Sequence, residues 1–135
     1  MIKTVQLLLI EDDRDDVDLL ELSLANNNIS YNLKVIYDGA TAMDFFHTDN
    51  EIPQIIILDF NLPKIHGREI LKAYNSSDYA HIPLVVLTTS SAPEDKDYSL
   101  KNGANSFMIK PNTRAGLDEM VGSIMDIIDN HSPVL

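Results

Sequence analysis

Five short apolar runs recur along the chain, and each is nearly continuous instead of alternating with polar residues. Continuous runs of branched aliphatic residues are typical of strands that are covered on both faces, as in a parallel sheet between layers of helices. The pattern therefore predicts five buried strands, at Val5 to Ile10, Leu33 to Ile36, Ile55 to Leu58, Leu84 to Leu87 and Phe107 to Ile109.

Segments with helical periodicity follow the runs, and the first of them is rich in acids. This helix is predicted to begin after Asp13, whose side chain can cap it, and to end in the run from Asn26 to Asn28. Its apolar stripe is predicted to be broad and to contain Val17, Leu19, Leu20, Leu22 and Leu24. The acids of its first turns are expected to form a solvated face that favours the helix dipole: Asp13, Asp15, Asp16 and Asp18.

Four further helices are predicted from the same spacing of apolar residues. They cover Ala40 to Phe46, Gly67 to Tyr74, Pro93 to Lys101 with a left-handed cap at Gly103, and a last segment whose stripe runs from Leu117 to Ile128. Strands that alternate with helices predict right-handed crossovers and a doubly wound α/β fold with a parallel sheet. No linker rich in proline, glycine or serine interrupts the alternation, so we expect one domain over residues 1–135 and no output domain.

The composition excludes several classes of function. The chain has 135 residues, 44% of them hydrophobic, which suits one globular domain with a core. Its 21 acidic and 10 basic residues give a net charge of −11, which argues against nucleic acid or an anionic membrane as a partner. The absence of cysteine excludes disulfides and thiolate catalysis. The apolar start is too short for a signal or membrane segment, so we expect a cytoplasmic protein.

Polar residues of complementary kinds follow four of the predicted strands. The first run leads into Glu11 and Asp12, the third into Asp59, the fourth into Thr88 and the fifth into Lys110. In an open α/β sheet, ligands bind outside the carboxyl ends of the strands, so these side chains are expected to meet. Crowded carboxylates need a compensating cation, and Mg²⁺ binds carboxylate oxygens while sharing phosphate oxygens. Together with an amine and a hydroxyl, they predict a Mg²⁺-dependent site that handles a phosphoryl group.

Four stretches, in this order and at this spacing, resemble the response-regulator receiver domain of two-component signalling. They are LLLIEDD from Leu7 to Asp13, IIILDFNLPKIHG from Ile55 to Gly67, VVLTTS from Val85 to Ser90 and GANSFMIKP from Gly103 to Pro111. The resemblance covers essentially the whole chain. It implies a flavodoxin-like receiver fold, with a five-stranded parallel sheet in the order 2-1-3-4-5 and five helices.

The resemblance assigns roles to the acids. It implies that Asp59 is the phosphoacceptor and that Asp12 and Asp59 bind Mg²⁺ directly, joined by the backbone carbonyl of Asn61. Glu11, in place of an aspartate, would act mainly through metal-bound water. The metal set implied by the family is therefore Glu11, Asp12, Asp59 and Asn61.

Three further residues take roles from the same resemblance. Thr88 and Lys110 would both contact the phosphoryl group, and the spacing between them favours Thr88 over Thr89 for this contact. The bond between Lys110 and Pro111 is expected to be cis, which would aim the lysine at the site. Phe107 falls at the family's aromatic switch position, where tyrosine is common, and the alternative is that it fills the core.

Partners also follow from the resemblance. A histidine kinase is the expected phosphoryl donor, and the segments LTTSSAPED and GANSFMIKP look most like stand-alone regulators paired with bacterial phytochrome kinases. The last helix has an apolar flank around Met125, which either broadens its core face or forms a homodimer surface with the fourth helix and fifth strand. The family favours the dimer. Output is expected to be a contact with another protein.

Two other functions stay open as alternatives. A small aspartyl-phosphate phosphatase would also use Asp59 as nucleophile, but it generally needs a second acid where this chain has Asn61. An adaptor that keeps the receiver fold without the phosphorylation chemistry is the other alternative. The intact set of Glu11, Asp12 and Lys110 argues against it.

Overall fold

The fold is a five-stranded parallel sheet with helices on both faces, seen in a computed structural model that describes residues 3–131. The strands are β1 Val5–Ile10, β2 Tyr31–Ile36, β3 Ile55–Asp59, β4 Leu84–Thr88 and β5 Ser106–Ile109. The helices are α1 Arg14–Asn26, α2 Gly39–Phe46, α3 Gly67–Asn75, α4 Pro93–Lys101 and α5 Arg114–His131. The strand order is β2-β1-β3-β4-β5 with every neighbouring pair parallel, so the expected fold class and strand order are confirmed.

Burial explains why apolar runs predicted the strands, and why the predicted start of β2 lies two residues after the observed start. β3 and β4 lie inside the sheet, and all of their residues are buried. β2 is an edge strand that begins at Tyr31, before the predicted start at Leu33, and its exposed residues alternate with half-buried ones. Since an edge strand is only partly covered, a search for continuous apolar residues finds only its inner part.

The two faces of the sheet carry separate cores. On one face, α1 and α5 cover side chains such as Ile55 and Ile57 of β3. On the other face, α2 and α3 cover Ile56 and Leu58, and Tyr98 of α4 packs against the same cluster. We call these the α1–α5 face and the α2–α4 face. Because successive side chains of a strand point to opposite faces, the alternation also decides on which face each strand-end residue lies.

The apolar stripe of α1 is narrower than predicted. The residues that are buried as expected are Val17, Leu20 and Leu24. Leu19 and Leu22, by contrast, are each 51% exposed, so their predicted place in the stripe is wrong. A groove of about 220 Å³ lies between them and Pro111, which precedes α5, and Leu117 near the start of that helix, and no element among residues 3–131 covers them.

The helix ends agree with the capping residues predicted from the sequence. Asp13 caps α1 by accepting a hydrogen bond from the Asp15 amide at 2.9 Å, and Gly103 after α4 has φ of +101°. α5 begins at Arg114. Its first residues carry no large apolar side chain, so the apolar stripe predicted from the sequence starts only at Leu117. The helix extends to His131. Between residues 3 and 131, no helix is both long and apolar enough to cross a membrane.

Candidate functional site

Three strand ends bring charged side chains to the same face of the sheet. Glu11 follows β1, Asp59 ends β3 and Lys110 follows β5. Each comes two residues after a strand residue of the α1–α5 core, namely Leu9, Ile57 and Met108. Strand periodicity therefore assigns all three charged residues to the α1–α5 face, where the carboxyl ends of neighbouring parallel strands lie together.

Glu11, Asp12 and Asp59 form the acidic cluster that the strand ends predict. One carboxylate oxygen from each residue lies within 4.8 Å of the others, and no second such group exists among residues 3–131. Glu11 and Asp59 are 2% and 1% exposed, whereas Asp12 is exposed to solvent. Carboxylates this close repel one another unless a cation or a proton neutralises them. An all-oxygen donor set with one side open to water fits Mg²⁺, which keeps several of its waters.

Lys110 supplies the positive charge beside this cluster. Its Nζ donates hydrogen bonds to Glu11 Oε1 at 2.9 Å and Asp16 Oδ2 at 3.0 Å, and lies 3.3 Å from Asp59 Oδ2. The expected cis bond between Lys110 and Pro111 is wrong, since residues 3–131 contain no cis peptide bond. The long, flexible stem of the lysine reaches all three carboxylates from the end of β5 without it.

Asp16 is the site residue that the sequence interpretation missed. The sequence predicts Asp16 on a solvated acidic face, but its carboxylate forms an ion pair with Lys110. Asp16 precedes the buried Leu20 by one helical turn, and residues so spaced share a face of the helix. The spacing alone does not single out Asp16, because Asp15 and Asp18 stand in the same relation to Leu19 and Leu22, which prove to be exposed only in the structure.

The buried charges shift one another's pKa. Burial raises the pKa of Glu11 to about 8, helped by the hydrogen bond and the charge of Asp59, while Lys110 opposes the rise. Burial by itself would lower the pKa of Lys110, but hydrogen bonds to Glu11 and Asp16 and the charge of Asp59 raise it above its ordinary value. The ammonium therefore stays charged at neutral pH. A divalent cation favours the charged form of Glu11, so metal and proton compete at this site.

The loop after β3 is organised around Asp59 and Asn61. The backbone N–H of Asn61 donates a hydrogen bond to Asp59 Oδ1 at 2.8 Å. The side-chain oxygen of Asn61, Oδ1, accepts a hydrogen bond from the backbone N–H of Thr89 at 2.9 Å. Lys64 turns the same loop with a left-handed backbone, at φ of +71°. Asn61 thereby restrains both the carboxylate of Asp59 and the loop after β4. The role of the Asn61 backbone carbonyl as a metal ligand stays a prediction.

Thr88 and Phe107 belong to the opposite face of the sheet. Strand alternation assigns both to the α2–α4 face, and half-buried Phe107 packs against that core. Thr88 is 1% exposed, and its Oγ1 accepts a hydrogen bond from the Ser90 amide at 3.0 Å. The competing hydroxyl, that of Thr89, is exposed. The two predicted partners therefore share a face, while their roles in phosphoryl contact and switching stay predictions.

Known proteins share both this sequence pattern and this fold. The family model of the response regulator receiver domain matches residues 7–122. Response regulator Rcp1 of Synechocystis sp. is 36% identical over 124 residues, which cover 87% of this chain and 84% of Rcp1.

Two solved structures extend the likeness to the backbone. The phosphorylated cyanobacterial phytochrome response regulator RcpA superposes with a TM-score of 0.82 at 29% identity, covering 97% of this chain and 98% of RcpA. The Mn²⁺-bound form of Rcp1 superposes with a TM-score of 0.77 at 34% identity, covering 90% and 92%. With its strand order, its acidic strand ends and these relatives, the chain belongs to the response-regulator receiver domain family.

Proposed function

We propose that this chain is a single-domain response regulator whose Asp59 accepts a phosphoryl group from the phosphohistidine of a histidine kinase, with Mg²⁺ required. The observation that carries the proposal is the placement of Asp59. Its buried carboxylate lies beside two other acids and 3.3 Å from the ammonium of Lys110. Positioning and charge neutralisation are the main demands of phosphoryl transfer, and this arrangement can meet both.

The residues of the site divide the work of the transfer. The Asn61 amide orients Asp59, and Lys110 places a positive charge beside its other oxygen. A carboxylate oxygen of Asp59 attacks phosphorus as the phosphorus–nitrogen bond of the donor breaks, and the departing imidazole takes up a proton from solvent. When bound by Glu11, Asp12 and Asp59, Mg²⁺ supplies positive charge that neutralises the phosphoryl oxygens.

Sustained phosphatase turnover is the less favoured alternative. Asn61 stands two residues after Asp59, where a phosphatase would use an acid, and its side-chain oxygen is bonded to the Thr89 amide. An amide cannot transfer the proton that general acid–base catalysis requires. We therefore propose a phosphoacceptor with slow self-dephosphorylation and not an enzyme.

Phosphorylation by a small donor tests the proposal. Wild type incubated with acetyl phosphate and Mg²⁺ should gain the mass of one phosphoryl group, and chelation of the metal should abolish the gain. Asp59→Asn should gain none. The matched control is Asp18→Asn, which removes an exposed acid of α1 outside the cluster and should be phosphorylated like wild type. Labelling of Asp59→Asn would contradict the assignment, and multiple turnover on a phosphomonoester would favour the phosphatase.

The donor that we propose is a phytochrome-type histidine kinase. The likeness to RcpA supports it, because RcpA is described as a phytochrome response regulator. Phosphotransfer profiling against the histidine kinases of the source organism tests it directly. Preferential transfer from a kinase without a phytochrome module would exclude this donor while leaving the role of Asp59 intact.

We also propose a homodimer through α4, β5 and α5, in the cytoplasm. Leu100 of α4 and Ile109 of β5 are 45% and 48% exposed, and β5 is an edge strand of the sheet. Light scattering should report a dimer for wild type and a monomer for Ile109→Lys, and cell fractionation tests the location. The charge of −11 supports a protein as the partner in place of nucleic acid.

A further inference from the structure

We propose that Asp16 is a positioning residue for Lys110, which keeps the ammonium from occupying the oxygens that Mg²⁺ needs. The proposal rests on the proposed function. Asp16 lies in the first turn of α1 and is not a member of the acidic cluster formed by Glu11, Asp12 and Asp59. Its carboxylate contacts the site through the ammonium of Lys110.

The contacts of Lys110 show a three-way division of its ammonium. An ammonium has three N–H donors, and three carboxylate oxygens lie at 2.9, 3.0 and 3.3 Å from Nζ. Two of these oxygens come from Glu11 and Asp59, which are both residues of the acidic cluster. The third, from Asp16, approaches from the solvent side, where the Asp16 side chain is 38% exposed against 2% for each of the other two.

This division affects metal binding because Lys110 and Mg²⁺ compete for the same two carboxylates, those of Glu11 and Asp59. A lysine attracted only to Glu11 and Asp59 would have to be displaced before a cation could bind them. Asp16 offers the ammonium a third partner outside the metal set, so the lysine can stay near Asp59 without enclosing its carboxylate.

The fold holds Asp16 in position for this role. The next residue, Val17, and Leu20 one turn later are both 4% exposed and are packed in the α1–α5 core. Asp13 caps the helix immediately before it. A carboxylate carried on this anchored turn can restrict a flexible lysine stem, which otherwise samples many rotamers.

The test is a double-mutant cycle in which the measured quantity is the Mg²⁺ affinity of the protein, determined by calorimetric titration. We expect Asp16→Asn to raise the Mg²⁺ Kd roughly fivefold. Asp18→Asn removes the same charge from the same helix without touching Lys110, and should raise the Kd less than about twofold because exposed charges are screened. Asp16→Glu should keep most of the wild-type Mg²⁺ affinity, since it retains a carboxylate that can pair with Lys110.

The decisive comparison uses Lys110→Met as the background. If Asp16 acts through the lysine, Asp16→Asn in that background should do no more than Asp18→Asn does there. Equal effects of the two asparagine variants in wild type, or a full effect of Asp16→Asn without the lysine, would overturn the inference. Failure of wild type itself to bind Mg²⁺ would instead contradict the proposed function, so the two failures are distinguishable.

Discussion

Asn61 Oδ1 accepts a hydrogen bond from the backbone amide of Thr89 at 2.9 Å, which joins the loop after β3 to the loop after β4. The amide of Asn61 holds Asp59 Oδ1 at 2.8 Å. One residue therefore links the proposed phosphoacceptor to the segment that directly follows Thr88. A change at Asp59 has a short hydrogen-bonded route to the start of the β4–α4 loop.

Removal of this link should loosen the β4–α4 loop and leave the fold intact. We expect Asn61→Ala to lower the free energy of unfolding by about 1 kcal/mol, the usual net value of one hydrogen bond. Hydrogen exchange should show faster exchange of the Thr89 amide. Asn61→Asp, which keeps an acceptor oxygen, should retain most of the protection. Unchanged exchange at Thr89 in Asn61→Ala would show that the bond does not restrain the loop.

The raised pKa of Glu11 predicts an unusual pH dependence in the absence of metal. The unfolded chain loses this proton near pH 4.5, whereas the folded protein keeps it until about pH 8. Between these values the folded state binds more protons, so the free energy of unfolding should fall as the pH rises, by at most about 1.4 kcal/mol per pH unit. Denaturant unfolding in the presence of a chelator measures it.

Glu11→Gln is the control for this slope. The glutamine cannot titrate, so the free energy of unfolding of this variant should change less with pH between about pH 5 and pH 8 than that of wild type. The difference between the two slopes should correspond to about one bound proton. A stability that rises with pH in wild type, or an unchanged slope in Glu11→Gln, would locate the bound proton on another group.

Mg²⁺ should stabilise the protein through the acidic cluster. A ligand that binds only the folded state at a hundred times its Kd adds about 2.7 kcal/mol. Wild type should therefore melt at a higher temperature with Mg²⁺, whereas Asp12→Ala should show a much smaller shift. Equal shifts in the two proteins would mean that the cation acts elsewhere on the acidic surface.

Two glycine substitutions should change stability in opposite directions. A Cβ at Gly67 would overlap Phe60 Cδ1 and lie 2.8 Å from the Phe60 Cα, so Gly67→Ala should destabilise the protein by about 1–3 kcal/mol. Gly122 in α5 has nothing within 4 Å of such a Cβ, and alanine is the better helix former. Gly122→Ala should stabilise by roughly 0.5–1 kcal/mol. Thermal melts of both variants test the contrast.

The sequence was informative where a single element determines the answer. Strands with both faces covered appear as apolar runs, so the ends of β1 and β3 could be located, and the edge strand β5 also ends in apolar residues directly before Lys110. Asp59 and Lys110 were found in this way, since parallel strands deliver their carboxyl ends to one edge.

The remaining features depend on how one element sits against another. Leu19 is exposed because a groove lies between α1 and the start of α5, which no periodicity within α1 can reveal. Asp16 contacts Lys110 because α1 packs beside the end of β5. Local pattern placed both residues on a helix but could not say what each one would face.

The placement of Asp59 and Thr88 on opposite faces of the sheet affects which sequence changes the protein can tolerate during evolution. The two residues end adjacent strands, and strand alternation assigns them to opposite faces of the sheet, so a link between them passes over the carboxyl edge, where the two loops begin. Either core can then exchange one aliphatic residue for another with little effect on signalling. An insertion directly after Thr88 would break the connection without removing a side chain from either core, whereas a deletion between Asp59 and Asn61 would also remove the buried Phe60.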